Sequence, residues 1–558
     1  MVQRRSLVFL SATAAVIGMT WGHATDALAQ GAAPAPAPAA PPPAATAPAS
    51  SPTAAPGTSP GSASSETQPA ATESAPPPAE TSASGDASVS SGGGLFESSQ
   101  TNADAASGEE GTGGGGLPFD LNGYVRGDAF VGKVPTKGAA EMKAAYGELS
   151  LKVTTKKLKY GDAFAEMRLR YGLQTGSRIQ LVDLREAYVN LYAGPFDLRL
   201  GQQIIVWGRA DAVNPTNNLT PTDLRVHSPN EDDRRLGNFA ARAFLNFQPF
   251  RLEGVWVPLY TPSELPLGFV QNVIWSPGVF PQPNLKNGTE AVRLHLELPD
   301  VELSASYLYG YAPLPGLEYA GNYVTGANPA VYVQRHAYNQ HVIGGDFSTT
   351  IANWLGVRGE IAYRKPLHYN DRPYAPKPDV MYVLGLDHTF DDVSVIAQYI
   401  GKYTVKWRPP PPGGDISQLE DEGVDIPCTP VTAAIGGIPD EVDPCNHTPP
   451  VNEKVAQAVP NTLYQRNQMI FGQLKHVQHM VSARIEWLAL HQTLSLSALG
   501  VVNFSTGEVV AFPKAAYQFT DSLTGTLGAE IFAGPHDTLF GSIRSEMGAV
   551  YAEAKFSY

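Results

Sequence analysis

The chain has 558 residues, including 54 glycines and 48 prolines, and a formal net charge of -14. That acidity argues against a nucleic-acid partner, which would present a basic stripe. The length admits roughly two or three ordinary domains or one very large one.

Residues 1–29 read as an export signal. Arg4 and Arg5 form a positive start, Leu7 to Met19 a short apolar core, and Ala27-Leu28-Ala29 a cleavage site before Gln30. No cysteine follows that site closely, which argues against a lipoprotein anchor. No later stretch approaches the roughly 18–20 apolar residues that a membrane helix needs. An exported protein that is not a helical membrane protein is expected.

Residues 30–116 are dominated by Ala, Pro, Ser, Thr and Gly. They lack the apolar content to offset chain entropy, so a disordered, partly polyproline-like arm is expected. Within it, Gly57–Gly61 ("GTSPG") matches the serine-hydrolase elbow. That chemistry needs a strained strand-to-helix turn, which such a tract does not supply.

From 117 to 558 the texture is uniform. Segments of about ten residues alternate apolar with polar or small residues, the period of a strand with one apolar face. In "GDAFAEMRLRYG", Ala163, Ala165, Met167, Leu169 and Tyr171 oppose Asp162, Glu166, Arg168 and Arg170. In "FDLRLGQQIIVWG", Phe196, Leu198, Leu200, Ile204 and Val206 oppose Asp197, Arg199 and Gln203, and in "EAVRLHLELP" Val292, Leu294, Leu296 and Leu298 oppose Arg293, His295 and Glu297. Short turns ("AGPFD", "FQPFR", "LPDVE", "TFDDVS") alternate with long loops after Val206, Pro258, Tyr311, Arg364 and Lys406. Aromatics gather near strand ends, as at Tyr307, Tyr309 and Tyr311, or Tyr188 and Tyr192. The last strand alternates through Val550, Ala552, Ala554 and Phe556 to Tyr558.

The export signal, the two classes of connection and the terminal aromatic strand resemble those of bacterial outer-membrane β-barrels. The resemblance implies an all-β fold: a transmembrane antiparallel barrel spanning 117–558, with the arm in the periplasm. Strand counting gives about 18, or 16 if "NQMIFGQLKHVQHMVSARIEWLAL" and its neighbours merge differently. The terminal strand looks like the signal read by the barrel-assembly machinery, making that machinery and outer-membrane lipid expected partners. More narrowly, "GQQIIVWGRADAVNPTNNLTPTD" (residues 201–223) resembles the G-x-Q…W-G…N-P…D segment of a group of large, poorly characterised barrels. Some of these are proposed to pass hydrophobic or organic substrates.

On this reading Ile204 and Val206 face lipid. Trp207 stands either at the membrane surface, the preferred place for an indole, or at the pore mouth. The loop after it carries Arg209, Asp211, Asn214, Asp223 and Arg225 and then "NEDDRRLGN". It either projects as a solvated loop or folds inward as a constriction. Arg168, Arg170, Arg199, Arg293, Arg358 and Arg364 fall on polar strand faces, with Glu166, Glu297 and Glu360 among them. They are expected to line the pore, either creating a transverse field or merely hydrating a wide lumen.

Cys428 and Cys445 lie in one acidic, Pro-rich loop and are expected to form a disulfide in an oxidising compartment. No metal site, cofactor or catalytic residue is expected: His476 and His479, like His336 and His341, fall on opposite strand faces. The function expected is a porin-like channel passing small polar or amphipathic solutes by diffusion. The rivals are a gated transporter of hydrophobic organic substrates, an envelope tether acting through 30–116 on peptidoglycan or a periplasmic partner, and an outer-membrane hydrolase built on His227-Ser228. Oligomeric state is left open.

Overall fold

The computed structural model describes residues 118–133, 140–156, 158–174, 176–268, 270, 272–324, 330–410 and 453–558. The export signal, the arm, the "GTSPG" stretch and both cysteines lie outside these residues.

The strands, in chain order, begin with β1 (Phe119–Lys133), β2 (Ala140–Thr155), β3 (Gly161–Gln174), β4 (Ser177–Ala193), β5 (Phe196–Gln203), β6 (Asn238–Phe247) and β7 (Phe250–Val257). They continue with β8 (Val273–Trp275), β9 (Thr289–Glu297), β10 (Val301–Tyr311), β11 (Gly316–Val324), β12 (Ala330–His336), β13 (Asn339–Ile351) and β14 (Leu355–Pro366). Then follow β15 (Asp379–Phe390), β16 (Val393–Thr404), β17 (Val477–Ala489), β18 (Leu494–Asn503), β19 (Glu508–Gln518), β20 (Leu523–Ala533) and β21 (Ala549–Ser557). Among the described residues two α-helices, α1 (Glu453–Ile470) and α2 (Leu539–Met547), accompany them.

Apart from β8, β11 and β12, every strand pairs antiparallel with its neighbours in chain order, and β1 pairs with β21. The result is a closed, 18-stranded, up-and-down barrel, so neither edge is left unpaired. Of the two strand counts open from sequence, 18 is the one observed. The region 467–490 holds the end of α1, a short link and one strand, β17. At the closure, Tyr558 and Gly123 exchange both backbone hydrogen bonds at 3.1 Å.

The burial pattern is reversed relative to a water-soluble protein. Val182, Ile361, Leu384, Leu386, Ile485 and Leu527 stand exposed on the outer face, while Arg126, Glu148, Arg168, Glu253, Arg293, Glu360 and Arg484 are buried on the inner one. A belt of outward apolar side chains on a closed barrel is the arrangement that lipid demands. Placing an arginine at Ile361, near the middle of β14 and 52% exposed, is expected to destabilise the barrel by about 2–4 kcal/mol. Urea unfolding in lipid vesicles measures this, and an unchanged midpoint would remove that face from the membrane.

At the end that carries Phe119 and Ser557 every connection is short, and the long connections all lie at the other end, together with the tight β3–β4 and β18–β19 turns. There, β8, β11 and β12 make a separate three-stranded sheet, packed on α1 through Val270, Leu317, Val331, Val333, Val459, Leu463 and Ile470. Asn467 locks helix to sheet, accepting from the Leu317 N–H at 2.7 Å and donating to its carbonyl at 2.8 Å. The α2 helix, capped by Thr538, packs against inward residues of β18 and β19.

Candidate functional site: a segment folded across the lumen

The strand β5 ends at Gln203, although apolar alternation continues through Val206. At Ile204 the chain leaves the sheet, its N–H donating to Glu186 at 2.9 Å. The expectation that Ile204 and Val206 face lipid is thus corrected. Ile204 and Ile205 are buried, and the chain from here to Gly237 runs inside the barrel. A period of two does not distinguish a strand that continues from a chain that turns inward with the same alternation.

Trp207 is 1% exposed. Its indole N–H donates to Glu253 on β7 at 3.0 Å, and Arg242 and His295 bind the same carboxylate at 2.7 and 3.1 Å. Placement at the membrane surface is therefore corrected: the ring is inside the wall, among Ile205, Leu219, Val255, Val257, Leu308 and Val342. Gly208 follows with φ +102°, and a Cβ there would sit 2.0 Å from the Asn214 amide oxygen. That oxygen also accepts from the Thr216 hydroxyl and the Asn217 N–H. Trp, Gly and Asn of the motif thus act as one device: an anchor, a left-handed turn and a carbonyl that closes it.

Beyond the turn, Glu360 on β14 accepts three backbone N–H groups, from Arg209 at 3.0 Å, Ala210 at 3.1 Å and Thr216 at 2.6 Å. Arg209 reaches Asp346 on β13 and Glu302 on β10, at 2.8 and 2.5 Å. Gln398 on β16 accepts from the N–H groups of Asp211 and Ala212. Arg484 on β17 pairs with Asp211 at 2.9 Å and Glu231 at 3.4 Å.

The other end of the segment binds the opposite part of the sheet order. Glu530 on β20 takes His227 at 2.7 Å and Arg234 at 2.5 Å, and the Tyr146 hydroxyl on β2 donates to the His227 carbonyl at 2.7 Å. Asp233, in the short 3₁₀ turn Glu231–Arg234, pairs with Arg126 on β1 at 2.7 Å and Arg168 on β3 at 2.6 Å. The Ser228 hydroxyl donates to it at 2.5 Å. Burial alone would push this carboxyl up, but Arg126, Arg168 and Arg185 outweigh it and hold Asp233 well below the usual carboxylate range. Glu148 on β2 completes the cluster, with Arg126 at 2.7 Å and Arg170 at 2.6 Å. The segment is tied from β1, β2 and β3, through β7, β10, β13, β14, β16 and β17, to β20. A chain with partners on all these strands crosses the lumen.

The barrel is closed, charged inside and apolar outside. The fold is that of a membrane-spanning β-barrel. Comparison of solved structures returns outer-membrane channels. One is the outer membrane channel DcaP of Acinetobacter baumannii, at 10% identity and a TM-score of 0.36, covering 79% of this chain and 97% of that one. OccAB3 of Acinetobacter baumannii stands at 9% and 0.44, covering 79% and 99%. A BenF-like porin from Pseudomonas fluorescens Pf-5 stands at 9% and 0.43, covering 79% and 98%. A family model described as a protein of unknown function (DUF1302) matches residues 83–247, a stretch that contains the whole W-G…N-P motif. No curated protein matches.

Within the barrel, the residues singled out from sequence divide into groups. Arg168, Arg170, Arg293, Arg358 and Glu360 are inward-facing and gather on the segment or beside it. Arg293 pairs with Asp346 at 2.7 Å, and Arg358 pairs with Asp387 at 2.6 Å while donating to the Arg209 carbonyl. Glu166 binds Arg168 at 2.6 Å. Arg364 points inward nearer the loop end, where it pairs with Asp379 at 2.8 Å. Arg199 lies apart, donating to Asn190 and stacking on Tyr188. Glu297 stands at the turn end of β9, half exposed, 3.7 Å from Arg251. Asp223 and Arg225 pair with each other at 2.8 Å, and Arg225 with Glu264 at 3.3 Å, on a more exposed stretch of the segment.

The Tyr307 and Tyr309 rings lie on the outer face, whereas Tyr188 and Tyr192 turn inward, with Val189 and Leu191 outside. The residues that sequence reasoning missed are the acceptors and donors waiting on the wall: Arg126, Glu148, Glu253, Asp346, Gln398, Arg484 and Glu530. Each sits on the polar face of an alternating strand, so its orientation was readable, but its partner in the segment was not.

Proposed function

We propose that the protein is a porin-like channel of the bacterial outer membrane for small polar or amphipathic solutes, whose opening is set by residues 204–237. The observation that carries this reading is the segment's course through the lumen, where ion pairs hold it on many strands beside the one apolar anchor around Trp207. Ionic anchors suit an element that must leave as well as stay, because water can resolvate both partners once they part. In this reading Arg168 and Arg358, expected to line an open pore, bind the segment when it is in place and become pore-lining when it withdraws.

The barrel lies in outer-membrane lipid and is inserted by the barrel-assembly machinery through the strand ending at Tyr558. The arm at 30–116 reaches the periplasm, where peptidoglycan is its expected contact. A hydrolase has no support from His227 and Ser228, whose side chains bind different carboxylates, Glu530 and Asp233.

Liposome swelling tests the reading. Vesicles carrying the full chain are expected to swell in small sugars and amino acids faster than empty vesicles, with rates falling as solute size increases. Swelling equal to that of empty vesicles for every solute would overturn it.

A further inference from the structure

The inner wall formed by β18, β19 and β20 differs from the rest of the lumen. Leu499, Val501, Val510, Phe512 and Phe532 face inward there, and α2 lays Leu539, Phe540, Ile543 and Met547 against them. A cavity of about 30 Å³ lies in this cluster, and Leu224 and Arg234 line it together with Leu265 and Pro266. Leu224 and Arg234 belong to the 204–237 segment. In place, the segment leaves room for little more than a water molecule or two. Withdrawn, it takes away part of that lining and exposes an apolar wall to the lumen.

The same wall contains a break. The ladder between β19 and β20 runs from Val509↔Ala533 to Ala511↔Ile531, then resumes at Lys514↔Gly528, with no pair at Phe512 or Pro513. On the other side the β18–β19 ladder is unbroken through Ala498↔Pro513, and β20–β21 is continuous as well. The gap therefore belongs to one seam. Its cause is chemical: Pro513 has no N–H to donate, and a proline between two paired strands is disfavoured where there is no free edge to receive it. Pro513 stands at the middle of β19, so the gap falls at mid-depth in the membrane. The outward side chains of β19 on either side of it, Ala511 and Ala515, are small, as is Ala529 on β20, which stands between Leu527 and Ile531. Phe512 and Phe532, which line the cavity, stand directly behind it.

We propose that the β19–β20 seam at Pro513 is a lateral exit, through which an uncharged apolar molecule collected on this inner wall passes into the bilayer. The proposal rests on withdrawal of the segment, and adds to the aqueous route a second one for a second class of solute. A molecule without charge or polar groups loses nothing on leaving the lumen for lipid, whereas ions and sugars are kept inside by the cost of desolvation. One pore would therefore sort its solutes by polarity at this height.

The test uses the full chain in intact cells, whose lipopolysaccharide leaflet slows direct entry of apolar dyes, with N-phenyl-1-naphthylamine as the probe. Cells carrying the natural protein are expected to take up the dye faster than cells without it. Pro513→Val restores the donor and is expected to abolish that gain, while single-channel conductance of the purified variant stays unchanged. A second variant guards against a folding defect: Pro513→Cys with Ala529→Cys, in a chain with Cys428→Ser and Cys445→Ser. Uptake is expected to be lost on oxidation and restored by a reductant. Uptake unaffected by either change, or equal to that of cells without the protein, overturns the lateral exit. Absence of ion conductance in the natural protein would instead count against the channel reading, so the two failures are distinct.

Discussion

Asp233→Ala is expected to raise the single-channel conductance of the barrel several-fold. The carboxylate it removes is buried and sits 2.7 Å from Arg126 and 2.6 Å from Arg168. Leaving a buried charge with no partner costs about 3–5 kcal/mol; Arg126 keeps Glu148 and Arg168 keeps Glu166, so the loss here lies below that range. Here two guanidinium groups lose a shared counter-charge, and the Ser228 hydroxyl loses its acceptor. The wall strands keep their own hydrogen-bond ladders and Glu148 keeps Arg126 and Arg170, so the cost falls on the segment and not on the barrel. Retained heat-modifiable mobility on a gel would confirm an intact barrel, and a conductance equal to the natural protein's would contradict the role of Asp233.

The sign of the pH dependence follows from the same pairings. A carboxyl held below its ordinary value of 3.8 stabilises the closed arrangement above that value, and the contribution is lost only as the pH falls through the still lower value in the folded state. Conductance through this anchor is therefore expected to stay constant between pH 8 and pH 5.

Gly208→Val is expected to unseat the first turn of the segment. A φ of +102° is open to glycine alone among residues without strain, and a branched side chain there meets the Asn214 amide at 2.0 Å already with its Cβ. The backbone term alone amounts to about 1–3 kcal/mol, and the clash with a buried amide adds to it. With the turn displaced, Trp207 leaves Glu253 and Arg209 leaves Asp346. Trypsin is then expected to cut at Arg209 in folded, membrane-embedded protein much faster than in the natural chain. Equal resistance would mean that the turn accommodates a side chain and that the Trp-Gly-Asn device is not what seats the segment.

The barrel was legible because its rule is local. Alternation in "GDAFAEMRLRYG" places Arg168 and Arg170 inside and Leu169 outside without knowledge of any other strand, and the turns at "AGPFD" and "TFDDVS" mark where the chain reverses. The site was only half legible, because its rule is not local. Residues 204–237 carry the charges of a solvated loop, and the same charges serve to bind an interior wall. What distinguishes the two is the presence of Glu530 opposite His227 and Arg234, or Arg484 opposite Asp211, across separations of some 300 residues. Ile204 and Val206 misled for the opposite reason, since their alternation continues after the hydrogen bonds that give it meaning have stopped. Gly208 and Asn214 offered the one local sign of a built turn.

The account stands most directly on one comparison: single-channel conductance in a planar bilayer of the full chain, and of a chain in which residues 209–230 are replaced by a short Gly-Ser bridge. The prediction is small or rarely opening steps for the full chain and large, stable steps for the shortened one. Equal conductance in both would contradict it, and the segment in the lumen would then be part of a fixed wall rather than the element that sets the opening.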